Sequence, residues 1–438
     1  MTYAEAVARL LALRGGEHAG MRPGLERIEG LLSALGHPEE RYALVQVGGT
    51  NGKGSVSAML ATILKCAGRR VGLYTSPHLV SFRERIRVNG EAIGEDAVAD
   101  GVDALGTLVA RFDATMFEAA TALALDHFAR ESVDVAVLEV GLGGRLDATT
   151  VGHPTATVLA RIDLDHEAIL GPTIAAIARE KAAIIRSGVA LSCAQAPEAE
   201  TVVVERARLA GVPLLLEGRD LSVRSLHISL DGQRIECAGP GWRFEDVHVG
   251  LVGTYQPPNA LLAVATAREL GVSEQEIREG LARVRWPGRF QVVGEGPWLV
   301  LDGAHNPGGA RALRRSLRQV FGERPMTLIT GVLRDKDARA ILAELVPVAK
   351  RIILTRSSNP RSARPEDLRA ALPATAAPAE VAASVPAALG LAAASGPHTV
   401  VCVAGSLSLV GDALRHLAGG SDKPCSIEKP AASMDSLY

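Results

Sequence analysis

Several familiar signals are missing from this chain, and each absence removes a class of protein. No apolar run approaches the ~20 residues that a membrane-spanning helix needs; charge or glycine interrupts each one first. The N-terminus has no basic region followed by an apolar core, so no signal peptide is expected. The cysteines (Cys66, Cys193, Cys237, Cys402 and Cys425) are scattered, odd in number and free of any CxxC pair. Neither a disulfide framework nor a zinc site is indicated. No charge of one sign dominates: the formal net charge of -2 gives no reason to expect nucleic acid or an anionic membrane as a partner. Aromatic residues reach only 3%, while alanine, arginine and glycine abound, a bias that reflects a GC-rich bacterial genome more than function. A reducing cytoplasm is the expected home.

What remains is a chain of 438 residues, 47% apolar and 22% charged. That length exceeds one ordinary core and predicts two or three domains. Apolar β-type runs at 43–47, 70–75, 133–140, 155–162 and 188–193 alternate with helical stretches at 54–67, 115–130 and 173–186. Gly68 and Gly188 stand where helix C-caps are expected. This alternation predicts a mainly parallel α/β sheet with helices on both faces. Residues 220–250 are short, turn-broken and alternating, and predict a small antiparallel excursion. Helices resume at 257–270 and 273–283. Trp286-Pro287-Gly288-Arg289 breaks the pattern, and a second α/β series follows, with strands near 298–302, 326–331, 350–355 and 398–404. The expected domains are 1–288 and 297–418, joined by a linker at 289–296. The polar stretch from Gly419 to the end reads as a disordered tail.

The most informative segment is Val45-Gln46-Val47-Gly48-Gly49-Thr50-Asn51-Gly52-Lys53-Gly54-Ser55. An apolar strand runs into a glycine-rich turn, then lysine and serine, then a helix. Such a turn aims backbone N–H groups at anionic oxygens, while the lysine reaches further phosphate and the hydroxyl can approach magnesium. A nucleoside triphosphate is the first ligand to suspect. The spelling differs from the common phosphate loop, which places four residues between its first glycine and Gly-Lys and puts Ser or Thr directly after the lysine. Here Gly49 and Gly52 are separated by two residues, and Gly54 stands between Lys53 and Ser55.

Other candidates lie just past predicted strands, where ligands gather in open parallel sheets. Glu139 precedes Gly141-Leu142-Gly143-Gly144-Arg145-Leu146-Asp147, and a carboxylate beside a phosphate turn suits magnesium, which takes few carboxylates plus phosphate and water oxygens. A dinucleotide fingerprint fails there, because Leu146 occupies the third glycine position. His166, in Asp163-Leu164-Asp165-His166, is either a structural histidine or a ligand for a second metal; Asp163 and Asp165 are its orienting partners or plain loop charges. Lys181 is either an exposed helix lysine or a partly buried amine of lowered pKa, able to take up carbon dioxide as a carbamate. Ser76, in Tyr74-Thr75-Ser76-Pro77-His78-Leu79, is a turn residue or a metal or phosphate contact. In the second half Asp302, His305 and Asn306 project from a strand edge, Arg289 sits where a guanidinium can clamp phosphates on domain closure, and Asn259 can hydrogen-bond nucleotide.

Taken in order, GGTNGKGS (48–55), YTSPHL (74–79), LEVGLGGRLDAT (138–149), LDH (164–166), REKAAI (179–184), YQPPNA (255–260), WPGRF (286–290), DGAHNP (302–307), DKD (335–337) and AGSLSLVGD (404–412) resemble the folylpolyglutamate synthase and dihydrofolate synthase branch of the Mur ligase superfamily. The resemblance covers roughly residues 5–417. It implies a P-loop-type ATPase domain and a smaller Rossmann-like C-terminal domain, with the active site between them. It implies that Gly49, Thr50, Asn51, Gly52, Lys53, Gly54 and Ser55 bind ATP, with Asn259, Arg289, Asp302 and His305 at the cleft. By the same resemblance Ser76, Glu139 and His166 match magnesium ligands, two ions being expected; Lys181 matches a carbamylated lysine, and Ser406 faces glutamate. Lys53, Lys181 and His166 are the implied catalytic groups, and room is left for a monovalent cation. Three positions depart from the family pattern: Gly48 for alanine, Thr150 for asparagine and Glu167 for threonine, with a bearing on pterin selectivity. The implied reaction joins L-glutamate to a folate or dihydropteroate carboxylate through an acyl phosphate made from ATP, in a monomer. A peptidoglycan-precursor ligase and a non-catalytic ATP-binding scaffold are the alternatives.

Overall fold

The computed structural model describes residues 1–14, 22–294 and 296–420. The first sheet holds β1 (Ala43–Gly48), β2 (Val71–Tyr74), β3 (Ile86–Val88), β4 (Glu91–Ala92), β5 (Val135–Glu139), β6 (Ala156–Leu159), β7 (Val189–Ser192) and β8 (Leu214–Leu216). Its order is β4-β3-β2-β5-β1-β6-β7-β8. From β2 to β8 every pairing is parallel; only β3 and β4 run antiparallel at one edge. β1 lies between β5 and β6, which explains its near-continuous apolar spelling: both faces are covered, so no polar alternation is needed.

One face packs on the helices Lys53–Cys66, Gln256–Glu269 and Glu274–Arg283. The middle one is apolar almost all round, as a helix between two layers must be. Its outer neighbour is a three-stranded antiparallel sheet, β9 (Ser222–Ser229), β10 (Gly232–Gly239) and β11 (Trp242–Val249). This is the excursion expected at 220–250. The other face carries helices Glu95–Phe112 and Met116–Arg130, the latter opened by a capping box between Thr115 and Glu118.

The third sheet begins at β12 (Gln291–Val293) and continues through β13 (Trp298–Asp302), β14 (Met326–Thr330), β15 (Arg351–Leu354), β16 (Ala379–Val381) and β17 (Val400–Ala404). The order is β12-β13-β17-β14-β15-β16, parallel except at β12. Helices cover both faces, so this C-terminal domain has its own two-sided core.

Two local expectations are corrected. The helix expected over 173–186 is Ile174–Ala182, and Ala183, not Gly188, caps it. Gly188 instead has φ of 67° in the turn before β7, tight against the Thr155 carbonyl. Lys181 is therefore near the end of its helix and not in the middle. Of the tail expected from 419 onward, residues 421–438 lie outside the described residues.

Candidate active site

The phosphate turn sits at the carboxyl end of β1, at the centre of the first sheet. Gly49 and Gly52 have φ of 130° and 96°. A Cβ at Gly49 would stand 2.8 Å from the Ala160 carbonyl oxygen, and one at Gly52 would stand 2.4 Å from Asn259 Oδ1. Only glycine fits both the backbone angle and the space. The amides of Thr50 and Asn51 donate to the Arg161 carbonyl at 2.8 and 3.1 Å, tying the turn to the segment after β6. Gly52 caps the helix Lys53–Cys66 without a side-chain hydrogen bond, so the first-turn amides remain available to an anion. Lys53 Nζ donates to the Thr50 carbonyl at 3.2 Å, folded back over the turn.

A cleft of about 610 Å³ opens above this turn. Thr50, Asn51, Gly52, Lys53, Gly54 and Ser55 line it, as do Ser76, Glu139, His166 and Lys181. Asn259, Arg289, Asp302 and His305 complete the wall. Gly49 does not line the cleft; its carbonyl accepts from Lys181 Nζ at 2.9 Å. Ser406 lies outside it and lines a neighbouring cavity of about 370 Å³. There it caps the helix Leu407–Leu417, its Oγ accepting from Leu409 N at 3.1 Å.

Burial sets the electrostatics. Glu139 is 6% exposed, and desolvation raises its carboxyl pKa against the pull of Lys53 and Arg289. It accepts from Ser76 N at 3.2 Å. Lys181 is 5% exposed; burial, then the Lys53 charge, lowers its amine to about 7. Desolvation by the surrounding cleft likewise lowers His166 to about 4, although its side chain is 36% exposed, against the opposing charge of Asp165. The imidazole is thus neutral near pH 7, and its Nε2 lies 3.3 Å from Lys336 Nζ. Asp165 would be raised by burial alone, but His305, Lys336 and His166 together hold it far below the usual carboxylate range. Asp302 is buried and raised by desolvation, with Arg289 pulling the other way. It accepts from Tyr255 Oη, Phe290 N and Ala304 N, each at 2.8 Å.

These groups fit a magnesium-triphosphate better than a bare metal site. Among the described residues the one close group of three His, Cys, Asp or Glu ligands is His37, Glu39 and Glu40, outside the cleft. Beside the phosphate turn the cleft offers the buried Glu139 carboxylate, the Ser76 hydroxyl and a neutral imidazole, the sparse donor set magnesium uses when phosphate and water supply the rest.

Several residues of the quoted motifs also join the domains, a role the sequence did not show. Asn51 and Asn306 exchange side-chain hydrogen bonds at 3.3 and 2.9 Å. Asn306 also donates to Asp165 at 3.1 Å, and Lys336 Nζ reaches Asp165 Oδ1 at 2.5 Å. Tyr255 and Lys336 stood inside quoted motifs; their signal was present, but their partners were not. Conversely, Gly48, Thr150 and Glu167 line neither cavity. Thr150 Oγ1 accepts from Gln46 Nε2 at 2.8 Å and donates to the Gly144 carbonyl at 2.7 Å. Thr150 thus belongs to a buried hydrogen-bonded bridge of the scaffold.

Comparison with known proteins places both domains in known families. Residues 47–267 match the Mur ligase middle domain and residues 288–407 the Mur ligase glutamate ligase domain. Folylpolyglutamate synthase of Lacticaseibacillus casei is 36% identical over 438 residues, covering 96% of this chain and 100% of that protein. Dihydrofolate synthase/folylpolyglutamate synthase of Bacillus subtilis is 36% identical, over 80% of this chain and 84% of its own. The crystal structure of Escherichia coli FolC in complex with DHPP and ADP superposes with a TM-score of 0.87 at 32% identity, covering 96% of this chain and 98% of that one. With both domains matched and whole-length relatives above 30% identity, the chain belongs to the folylpolyglutamate synthase/dihydrofolate synthase family of the Mur ligase superfamily.

Proposed function

We propose that this chain joins L-glutamate to the carboxylate of a dihydropteroate or a folate at the expense of ATP, and that it accepts both acids. One observation carries the reading. The phosphate cleft and the 370 Å³ cavity share Ser76, Gly141, Leu142, His166, His305 and Leu407 along their walls. An acid held in the second cavity by Phe117 and Leu146 can therefore turn its carboxylate toward a γ-phosphate held by the turn. The dual name of the Bacillus subtilis relative supports activity on both acids.

A carboxylate oxygen attacks the γ-phosphorus, the bond to the bridging oxygen breaks, and ADP leaves with that electron pair. The glutamate amine then adds to the acyl carbon; phosphate departs, a proton is lost from nitrogen, and the amide remains. Positioning and electrostatic stabilisation are most of what a protein supplies to such a transfer. Lys53 and the amides after Gly52 hold the phosphates, and Arg289, on the segment between the domains, clamps them from the other side. Asn259, Asp302 and His305 position the nucleotide at the cleft. Magnesium, when bound, offsets charge on the transferring group; Ser76, Glu139 and His166 would hold it. Lys181, with an amine lowered to about 7, is free enough at neutral pH to take up carbon dioxide with loss of a proton, and the resulting carbamate would offer magnesium an anionic oxygen. Ser406, Lys336 and Arg361 line the C-terminal side of the second cavity, where glutamate would approach. Closure of residues 1–288 on 297–418, about the linker 289–296, excludes water from the acyl phosphate. The protein acts in the cytoplasm as a monomer; among the described residues no helix is long and apolar enough to cross a membrane.

The test is an assay of dihydropteroate and of tetrahydrofolate in parallel, each with glutamate and MgATP. Both should give amide and ADP in equal amounts. ADP without amide for both acids would end the reading, and amide from one alone would remove the dual specificity.

A further inference from the structure

The loop that carries Ser76 does not merely border the C-terminal domain; it is built into that domain's core. Val80, 9% exposed, belongs to the same apolar cluster as Leu301, Val403, Leu409 and Val410. Leu79 packs against that cluster, and its carbonyl faces the helix Leu407–Leu417 so closely that a Cβ at Gly411 would fall 2.0 Å from the oxygen. Arg415 Nη2 approaches the Val80 carbonyl at 3.4 Å. One turn before Gly411, the same helix begins at Ser406 and Leu407, which line the second cavity. A single short path thus runs from Ser76, through Leu79 and Val80, to the N-terminus of the helix facing the second substrate.

The shape of this path is held by one carboxylate. Glu84, 6% exposed, accepts three consecutive backbone amides: Leu79 N at 2.8 Å, Val80 N at 3.1 Å and Ser81 N at 3.0 Å. A charged acceptor serving three amides at once is a strong and geometrically narrow restraint. We infer that Glu84 is a positioning residue for the ligation, fixing the register between Ser76 on the ATP side and the Leu407–Leu417 helix on the amino-acid side. The amides that Glu84 accepts belong to Leu79, Val80 and Ser81, on the side of Ser76 that runs to the C-terminal domain, although Glu84 shares a small cavity with Gly54, Ser76 and Glu139. Its loss should therefore spare ATP use while misplacing the second step, because reacting groups misplaced by about 1 Å lose on the order of a hundredfold in rate. The inference rests on the ligase reading, which the unsubstituted protein tests separately by forming amide and ADP together.

The experiment compares Glu84→Ala, Glu84→Gln and Gly411→Ala. Amide formed per ADP released and the KM values for ATP and glutamate are measured for each. In Glu84→Ala, KM for ATP should move less than about twofold, KM for glutamate should rise about tenfold or more, and amide per ADP should fall well below one. Gly411→Ala, which pushes on the same contact from the other domain, should give the same signature. Glu84→Gln keeps one acceptor oxygen and should fall between Glu84→Ala and the unsubstituted protein. An equal fall in rate with both KM values and the coupling ratio unchanged would show a merely structural role and overturn the inference. Unsubstituted kinetics in Glu84→Ala would overturn it too. If Glu84→Ala does not fold, Gly411→Ala decides by the same ratio.

Discussion

Two lysines from opposite domains, Lys181 in the phosphate cleft and Lys336 in the adjoining cavity, have surroundings that differ in kind. Lys181 comes from the first domain, is 5% exposed and rests on a backbone carbonyl, that of Gly49. Lys336 comes from the C-terminal domain, its side chain is 9% exposed, and it lies 2.5 Å from the Asp165 carboxylate. Both side chains are largely withdrawn from water, but Lys336 has a carboxylate in contact and Lys181 a backbone carbonyl. The first arrangement favours a neutral amine, a nucleophile ready for chemistry. The second favours a fixed charge that ties two domains together. Burial alone does not decide what a lysine does; the partner does.

The first way to break this contrast is to remove the cation that faces Lys181. Lys53→Ala should lower ADP and amide formation together by about a thousandfold or more, measured as initial rates. Retained ADP release would place the triphosphate elsewhere.

Next, Lys181→Met should cost about a hundredfold or more in kcat. Added acetate should restore part of it, because a small carboxylate can occupy the place of a carbamate. Lys336→Met should lose activity without rescue by acetate. If acetate rescued neither or both, the distinction between the two lysines would fail.

Asp165→Asn sharpens the other half of the comparison. It leaves Lys336 without its anion and loosens the contact with Asn306, so a rise in glutamate KM of about ten- to a hundredfold is expected. A buried charge left unpaired costs roughly 3–5 kcal/mol, which a lower thermal midpoint should also register.

Proton linkage gives a smaller but signed effect. The Lys181 amine falls from an ordinary 10.5 to about 7 in the fold. Between those values the unfolded chain binds the extra proton, so stability rises with pH across that window. His166 falls from 6.5 to about 4; there too the unfolded chain binds more protons, and stability declines as pH drops from 6.5 toward 4. Urea midpoints in buffer freed of carbon dioxide should follow both slopes. Lys181→Met should flatten the upper one and His166→Gln the lower.

The smallest change concerns a buried bridge away from both ligands. Thr150→Val removes the hydroxyl between Gln46 and Gly144 and should cost about 1–3 kcal/mol in denaturant unfolding, with kcat nearly unchanged.

Much of the site was legible before any fold was known. Gly49, Gly52, Lys53 and Ser55 announce an anion cradle because the turn's conformation and its amides are decided within a few residues. The parallel strands were legible from apolar runs broken by glycine. The short strands β3, β4, β8, β12 and β16, at or next to the sheet edges, were not, being only 2–3 residues long, too short to leave a periodic pattern. Lys181 was the clearest ambiguity. Its neighbours along the chain fit an exposed helix face, and only packing beneath the phosphate turn makes it a buried amine.

The sequence by itself determined the strand–turn–helix that grips phosphate, the alternation that builds parallel sheets, and the family to which the motifs belong. These depend on local backbone geometry and on side-chain spacing, which a linear chain displays. The tertiary structure alone decided which lysine is desolvated and which is paired, that Asn51 meets Asn306, and that Leu79 and Val80 enter the other domain's core. The Lys336–Asp165 contact joins positions 171 residues apart. Dielectric surroundings and charge partners come into being only when distant segments exclude water together, and no spacing along the chain records that.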